Sequence, residues 1–157
     1  MEKIASFTVN HLELMRGVYL SRRDACDGGD VITTFDVRMT EPNRQPPLSG
    51  KSLHTIEHLA ATYLRNRKDW EGRIIYWGPM GCRTGNYLVL RGDYVPAVIV
   101  PLLRDTFAFI AGFEGDVPGA TARDCGNYTY MDLTQAKADA RRFLDQVLAD
   151  PVTEYPK

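Results

Sequence analysis

Two histidines and a glutamate, His54, Glu57 and His58, fall inside the pentad His-Thr-Ile-Glu-His. Histidines four apart on a helix stand one above the other, about 5–6 Å apart at Cβ, so both imidazoles can reach a single metal ion. Glu57 follows His54 by three positions and lies on the same side, close enough to move a proton at whatever the ion holds. The plain alternative is a surface helix with two solvated histidines and an ordinary glutamate. Two ligands do not make a site, so the metal reading needs a third donor from elsewhere in the chain.

The cysteines are the natural place to look for it. Cys26, Cys82 and Cys125 are odd in number and far apart, which fits neither a disulfide framework nor the Cys-x-x-Cys pair of a structural zinc site. Cys26 sits in a polar Gly-containing turn and is expected to be incidental. Cys82 lies in Gly78-Pro-Met-Gly-Cys-Arg-Thr-Gly85. Such a turn could hold an accessible thiolate, with Arg83 favouring its ionisation if that side chain turns the right way. It could equally be a hairpin loop that happens to contain a small residue. Cys125, beside Gly126, could be the third donor. Two imidazoles and one thiolate leave an open coordination position, the pattern of catalytic centres, and zinc, ferrous iron and cobalt all accept that set. Arg38 reads either as a solvated edge charge or as an anchor for an anionic substrate group.

The elements that must position these residues are partly legible. Leu53, Ile56, Ala60, Tyr63 and Leu64 recur at helical spacing, so the histidines belong to an amphipathic helix, capped by Ser49 or Ser52 and running to about Lys68. His54, Glu57, His58, Ala61 and Arg65 form the neighbouring stripe. Phe35, Val37 and Met39 alternate with Thr34, Asp36 and Arg38, which predicts a strand over 32–40. Val18 and Leu20 suggest another strand, and 73–77 and 87–91 two more. Apolar residues at Ile99, Leu102, Leu103, Thr106 and Ile110 predict a helix within 95–113, kinked or delayed by Pro101. A last helix is expected from the Asp132 cap to about Ala149. Mixed strands and helices with tight turns predict one α+β domain over 1–157, a largely antiparallel sheet packed against helices.

Composition narrows the function. The chain is 44% hydrophobic and 25% charged, with a net charge of −1, as in an ordinary soluble globular protein. No basic stripe speaks for nucleic acid. The first residues lack the apolar core of a signal peptide, and the apolar run 94–103 is short and broken by two prolines. A cytoplasmic protein that binds neither nucleic acid nor membrane is the expectation.

The ordered set His54-Thr-Ile-Glu-His58, Gly78-Pro-Met-Gly-Cys82-Arg-Thr-Gly85 and Cys125-Gly126 resembles the S-ribosylhomocysteine lyase (LuxS, autoinducer-2 production) family. Ser6-Phe-Thr-Val-Asn-His11, Gly17-Val-Tyr and Phe35-Asp-Val-Arg38 with Pro42-Asn43 resemble it too, so the likeness spans nearly the whole chain. Two positions depart from the pattern: Asn10 stands in place of aspartate, and Tyr76 where several members carry an acid. The resemblance implies His54, His58 and Cys125 as ligands of a divalent metal, physiologically Fe(II), with Zn or Co as substitutes. It implies Glu57 and Cys82 as the acid–base pair, and Ser6, His11 and Arg38 as substrate-holding residues. It further implies a small-molecule substrate and a homodimer with sites at the interface. The reaction would yield homocysteine and 4,5-dihydroxypentane-2,3-dione, the autoinducer-2 precursor of quorum sensing, within methyl-cycle recycling. Two rivals remain. An H-x-x-E-H metallopeptidase would use Glu57 to activate water but leaves the cysteines without a role. A non-enzymatic zinc-stabilised binding module would require a fourth ligand, and only Cys82 is left to supply it.

Overall fold

The computed structural model describes residues 1–156. Four antiparallel strands, β1 (Gly17–Ala25), β2 (Val31–Arg38), β3 (Ile74–Pro79) and β4 (Gly85–Arg91), form one sheet in the order β1-β2-β4-β3. Three helices, α1 (Gly50–Arg65), α2 (Pro96–Ala111) and α3 (Leu133–Gln146), cover one face of it. This is the α+β arrangement that the sequence pattern predicts. No helix among the described residues is long and apolar enough to cross a membrane.

The pleat of β2 divides the molecule. Phe35, Val37 and Met39 join Leu88, Leu90 and Trp77 of the neighbouring strands in a core shared with Leu53, Ile56, Leu59 and Ala60 of α1. Successive strand residues face opposite ways, so Asp36 and Arg38 project from the other face. Arg38 is therefore not an edge charge. Strand β2 pairs on both sides, and Arg38 is only 3% exposed.

Element boundaries differ from expectation at several places, each for a local reason. The chain around residues 6–22 forms a short 3-10 turn over Ala5–Phe7 before β1, and that strand then runs on to Ala25. The β3–β4 ladder is longer than the apolar runs suggest, because Gly78 and Pro79 still pair with Tyr87 and Asn86. Helix α1 stops at Arg65, where the Asn66 side chain donates to Thr62 O at 2.7 Å. Helix α2 starts at Pro96 without delay and carries the solvent-facing Pro101 inside it. Helix α3 ends at Gln146 rather than Ala149. There Val147 and Leu148 turn into the core, and Arg104 donates to the carbonyls of Leu148 and Ala149 at 2.7 and 3.0 Å.

Helix α1 is anchored at its first turn. Ser49 is the N-cap and accepts from Ser52 N at 3.0 Å. The Ser52 hydroxyl, fully buried, donates to Asp139 Oδ2 of α3 at 2.6 Å. Asp139 also accepts from Gln135 at 2.9 Å and pairs with Arg142. Asp139→Ala would strip the buried Ser52 hydroxyl of its acceptor. We expect about 2 kcal/mol of destabilisation, read as a fall of about 4–8 °C in Tm by thermal unfolding.

Candidate active site

The first cluster is built on α1. The His54 and His58 rings lie 4.8 Å apart at their centroids and nearly perpendicular, at 81°. Each Nδ1 sits 2.8 Å from a backbone carbonyl, His54 on Tyr130 O and His58 on Pro118 O. A carbonyl can only accept, so each Nδ1 donates its proton to the backbone and Nε2 is the nitrogen turned toward the cluster, which is how metal-ligating histidines are usually oriented. The loop between α2 and α3 supplies the sulfur: Cys125 Sγ lies 3.5 Å from His54 Nε2. The donor atoms of His54, His58 and Cys125 all lie within 4.8 Å of one another. The Asn127 N–H points at the Cys125 sulfur from 3.4 Å. Gly119, at φ +72°, lets the loop close over His58, where a Cβ would come within 3.3 Å of Nδ1. Glu57 is half-buried beside this cluster, and among the described residues no hydrogen bond or ion pair engages its carboxylate.

The second cluster lies at the β3–β4 turn and on the far face of the sheet. The turn is closed by Met80 N–H donating to Gly85 O and Arg83 N–H donating to Met80 O, both at 2.9 Å. Gly85 is required here because a Cβ would run into the Val37 carbonyl of β2. Cys82 is exposed at the tip. Its sulfur lies 3.1 Å from Thr84 Oγ1 and 3.8 Å from Arg38 Nη1. Arg38 Nη1 also donates to Thr84 Oγ1 at 2.5 Å, which leaves the threonine proton free to point at the sulfur. Partial burial pushes the Cys82 thiol up, but Thr84 and the Arg38 guanidinium outweigh it and bring the pKa below the ordinary thiol value. The cation beside Cys82 is thus Arg38. Arg83 takes a left-handed backbone conformation, with φ 60°, and is exposed.

Arg38 in turn is gripped by Asp36, which accepts from Nε at 3.0 Å and from Nη2 at 2.6 Å. Burial alone would lower the Arg38 pKa; the charge and hydrogen bonds of Asp36 more than offset it, so the guanidinium stays ionised. Ser6, His11 and Arg38 line one small cavity of about 20 Å³. His11 also lines an adjoining groove of about 660 Å³, together with Cys82, Thr84 and the Pro42–Pro47 loop. That volume suits a small molecule. Of the two departures noted in the sequence, Asn10 makes a local turn, accepting from Leu12 N at 3.1 Å, and Tyr76 stands exposed on the edge strand β3.

The structure therefore gathers the candidate metal, acid–base and substrate-holding residues into two groups. His54, His58 and Cys125 meet with Glu57 beside them; Cys82, Arg38, His11 and Ser6 meet across the sheet. None of His54, His58 or Cys125 lines the groove that holds Cys82. Sequence reasoning missed Asp36 and Thr84 as partners of Arg38. Asp36 could have been found, since opposite charges two apart on a strand share a face. The carbonyls of Pro118 and Tyr130 left no signal.

The donor atoms of His54, His58 and Cys125 form a group that could hold a metal ion, and Cys82 stands apart from it with a lowered pKa. Residues 4–154 match the family model described as S-ribosylhomocysteinase (LuxS). Proteins named S-ribosylhomocysteine lyase are similar over nearly the whole chain. The one from Porphyromonas gingivalis is 57% identical, covering 98% of this chain and 96% of its own. The one from Phocaeicola vulgatus is 56% identical over 94% and 91%, and the one from Clostridium acetobutylicum 56% over the full length of both. The chain belongs to the S-ribosylhomocysteinase (LuxS) family of carbon–sulfur lyases.

Proposed function

We propose that residues 1–157 form a single catalytic domain that converts S-ribosylhomocysteine to homocysteine and 4,5-dihydroxypentane-2,3-dione. The observation that carries this reading is the His54–His58–Cys125 cluster, with both Nδ1 atoms committed to carbonyls and the bare nitrogens and sulfur converging. Two imidazoles and a thiolate suit a divalent cation with one position left open, physiologically Fe(II), with Zn or Co able to replace it. When bound, the ion supplies Lewis-acid stabilisation of negative charge on a substrate oxygen.

The chain's own residues handle the protons. The sugar carbonyl must migrate from C1 through C2 to C3 before the C5–sulfur bond stands β to it. Each migration removes a proton from the carbon next to the carbonyl and returns one to the former carbonyl carbon. Thr84 and Arg38 lower the Cys82 pKa, which favours the thiolate that takes a proton from carbon and gives it back one position along. Glu57 moves protons between the substrate oxygens on the other side. In the final step a base takes the proton from C4, the electron pair forms the C4–C5 double bond, and homocysteine leaves as its thiolate and takes up a proton. The enol left behind gives up its hydroxyl proton and gains one at C5, which makes the dione and its methyl group. Ser6, His11 and Arg38 hold the substrate. Glu57→Gln keeps the shape and removes the base; turnover should fall by about 10²-fold or more, measured with the metal content unchanged.

The active unit is a homodimer with its sites at the interface. The two clusters depart from opposite faces of one sheet, and exposed apolar side chains flank both. Phe7 and Leu12 stand beside Ser6 and His11, and Tyr128 and Tyr130 follow Cys125. A second copy can bring one cluster of each chain onto the other, as a two-fold interface does. The direct test of the activity is anaerobic incubation of metal-loaded protein with S-ribosylhomocysteine, following free thiol. No release of homocysteine would refute the assignment.

A further inference from the structure

The carboxy-terminal tail reaches into the Arg38–Cys82 cluster. Val18 N–H donates to Val152 O at 2.9 Å, and Gly17 pairs in parallel with Val152, so the tail lies along the free edge of β1. Three residues further on, Tyr155 stacks on Tyr19 with centroids 4.6 Å apart and planes within 8°. Its hydroxyl donates to Asp36 Oδ2 at 3.1 Å, the same oxygen that takes Arg38 Nη2. Tyr155 also lines the small cavity with Ser6, His11 and Arg38.

We propose that Tyr155 is a positioning residue of the active site: by holding the Asp36 carboxylate it sets the Arg38 guanidinium so that Nη1 faces Cys82. The inference rests on the reading of Cys82 as the acid–base thiol. Asp36 and Arg38 are each only 3% exposed. A buried ion pair keeps a single geometry only when its remaining hydrogen-bonding capacity is satisfied. Both Asp36 oxygens are spent on Arg38 Nε and Nη2, which leaves Nη1 for Thr84 and the sulfur. Without the Tyr155 hydroxyl, Oδ2 loses its second partner, and the carboxylate and guanidinium are free to turn together.

The groups facing Asp36 from the surrounding elements are Tyr19 of β1, Tyr87 of β4, Arg38 and Tyr155. Burial, then the charge of Asp36, pushes Tyr19 up to about 12 and raises Tyr87 and Tyr155 as well. The phenols keep their protons, so Tyr155 remains a donor throughout the range in which Cys82 titrates. The other titratable side chain of the cavity is His11.

Tyr155→Phe keeps the ring and its stacking and removes the hydroxyl alone. The readout is the rate of Cys82 alkylation by iodoacetamide against pH in the metal-loaded full-length protein, followed at the Cys82 peptide by mass spectrometry. The midpoint should rise by about half a pH unit, the scale of one neutral hydrogen bond lost at a distance from the thiol. Turnover should fall about 3–10-fold in kcat with KM little changed. Thr153→Ala, on the same tail but lining a separate groove with Val95 and Arg104, should leave the midpoint in place. A tail that only packs gives Tyr155→Phe the parental midpoint, and equal shifts in both variants mean general loosening; either result overturns the proposal. Alkylation does not depend on turnover. Persistent activity in Cys82→Ala would end the acid–base reading, whereas an unmoved midpoint ends the role of Tyr155 alone.

Discussion

Cys82→Ala is expected to lose turnover by about 10³–10⁴-fold, at the upper end of what one positioned acid–base group contributes, while binding metal as the parent does. The side chain is exposed at a turn tip and supports no core contact, so the thermal transition should hardly move. The loss should be chemical: Arg38 and Thr84 would still surround the position, but no group there could accept a carbon-bound proton. The sign of the pH dependence follows from the lowered thiol pKa. The reactive form is the thiolate, so alkylation of Cys82 should rise with pH and reach half its plateau below about 8.5, the midpoint of a free thiol. A midpoint at or above the free-thiol value would show that Arg38 does not activate this sulfur.

Cys125→Ala should act on the other cluster and at an earlier stage. Disturbing a residue that merely orients a ligand costs about 10–100-fold in metal affinity; removing the sulfur itself should cost more, with turnover lost in proportion. Elemental analysis after dialysis checks this, and full metal occupancy would contradict the assignment. His54 and His58 should keep their orientation, because their Nδ1 contacts run to Tyr130 and Pro118 and not to the sulfur.

Together the two variants also test the proposed homodimer. If each site takes Cys82 from one subunit and the metal donors from the other, a mixed dimer of the two inactive proteins contains one intact site. An equimolar mixture, unfolded and refolded together, should then regain about a quarter of the parental sites. No recovery, with mixed dimers demonstrated by mass, would place all the groups of a site on one chain.

Much of this was legible in the chain. Helical spacing located α1 and put His54, Glu57 and His58 on one stripe, because local periodicity records which side of a helix is buried. Alternation located β2 and separated Arg38 from Phe35 and Val37 for the same reason. The ordered motifs carried the family. Boundaries were read less well at α1 and α3, where the ends depend on Asn66 and Arg104 bonding to carbonyls. The sequence offers Arg83 as a cation for Cys82 only if its side chain turns that way; the fold supplies Arg38 instead, 44 residues away.

By itself the sequence determined which residue types could do chemistry, the secondary elements that carry them and the family they belong to. Only the tertiary structure decided how distant residues converge: Cys125 onto His54, the loop carbonyls onto both Nδ1 atoms, and Tyr155 through Asp36 onto Arg38. The physical reason is one of range. Periodicity and capping are set by neighbours a few residues apart, whereas the direction of a buried charge or an imidazole ring is set by hydrogen bonds between chain segments that only packing brings together.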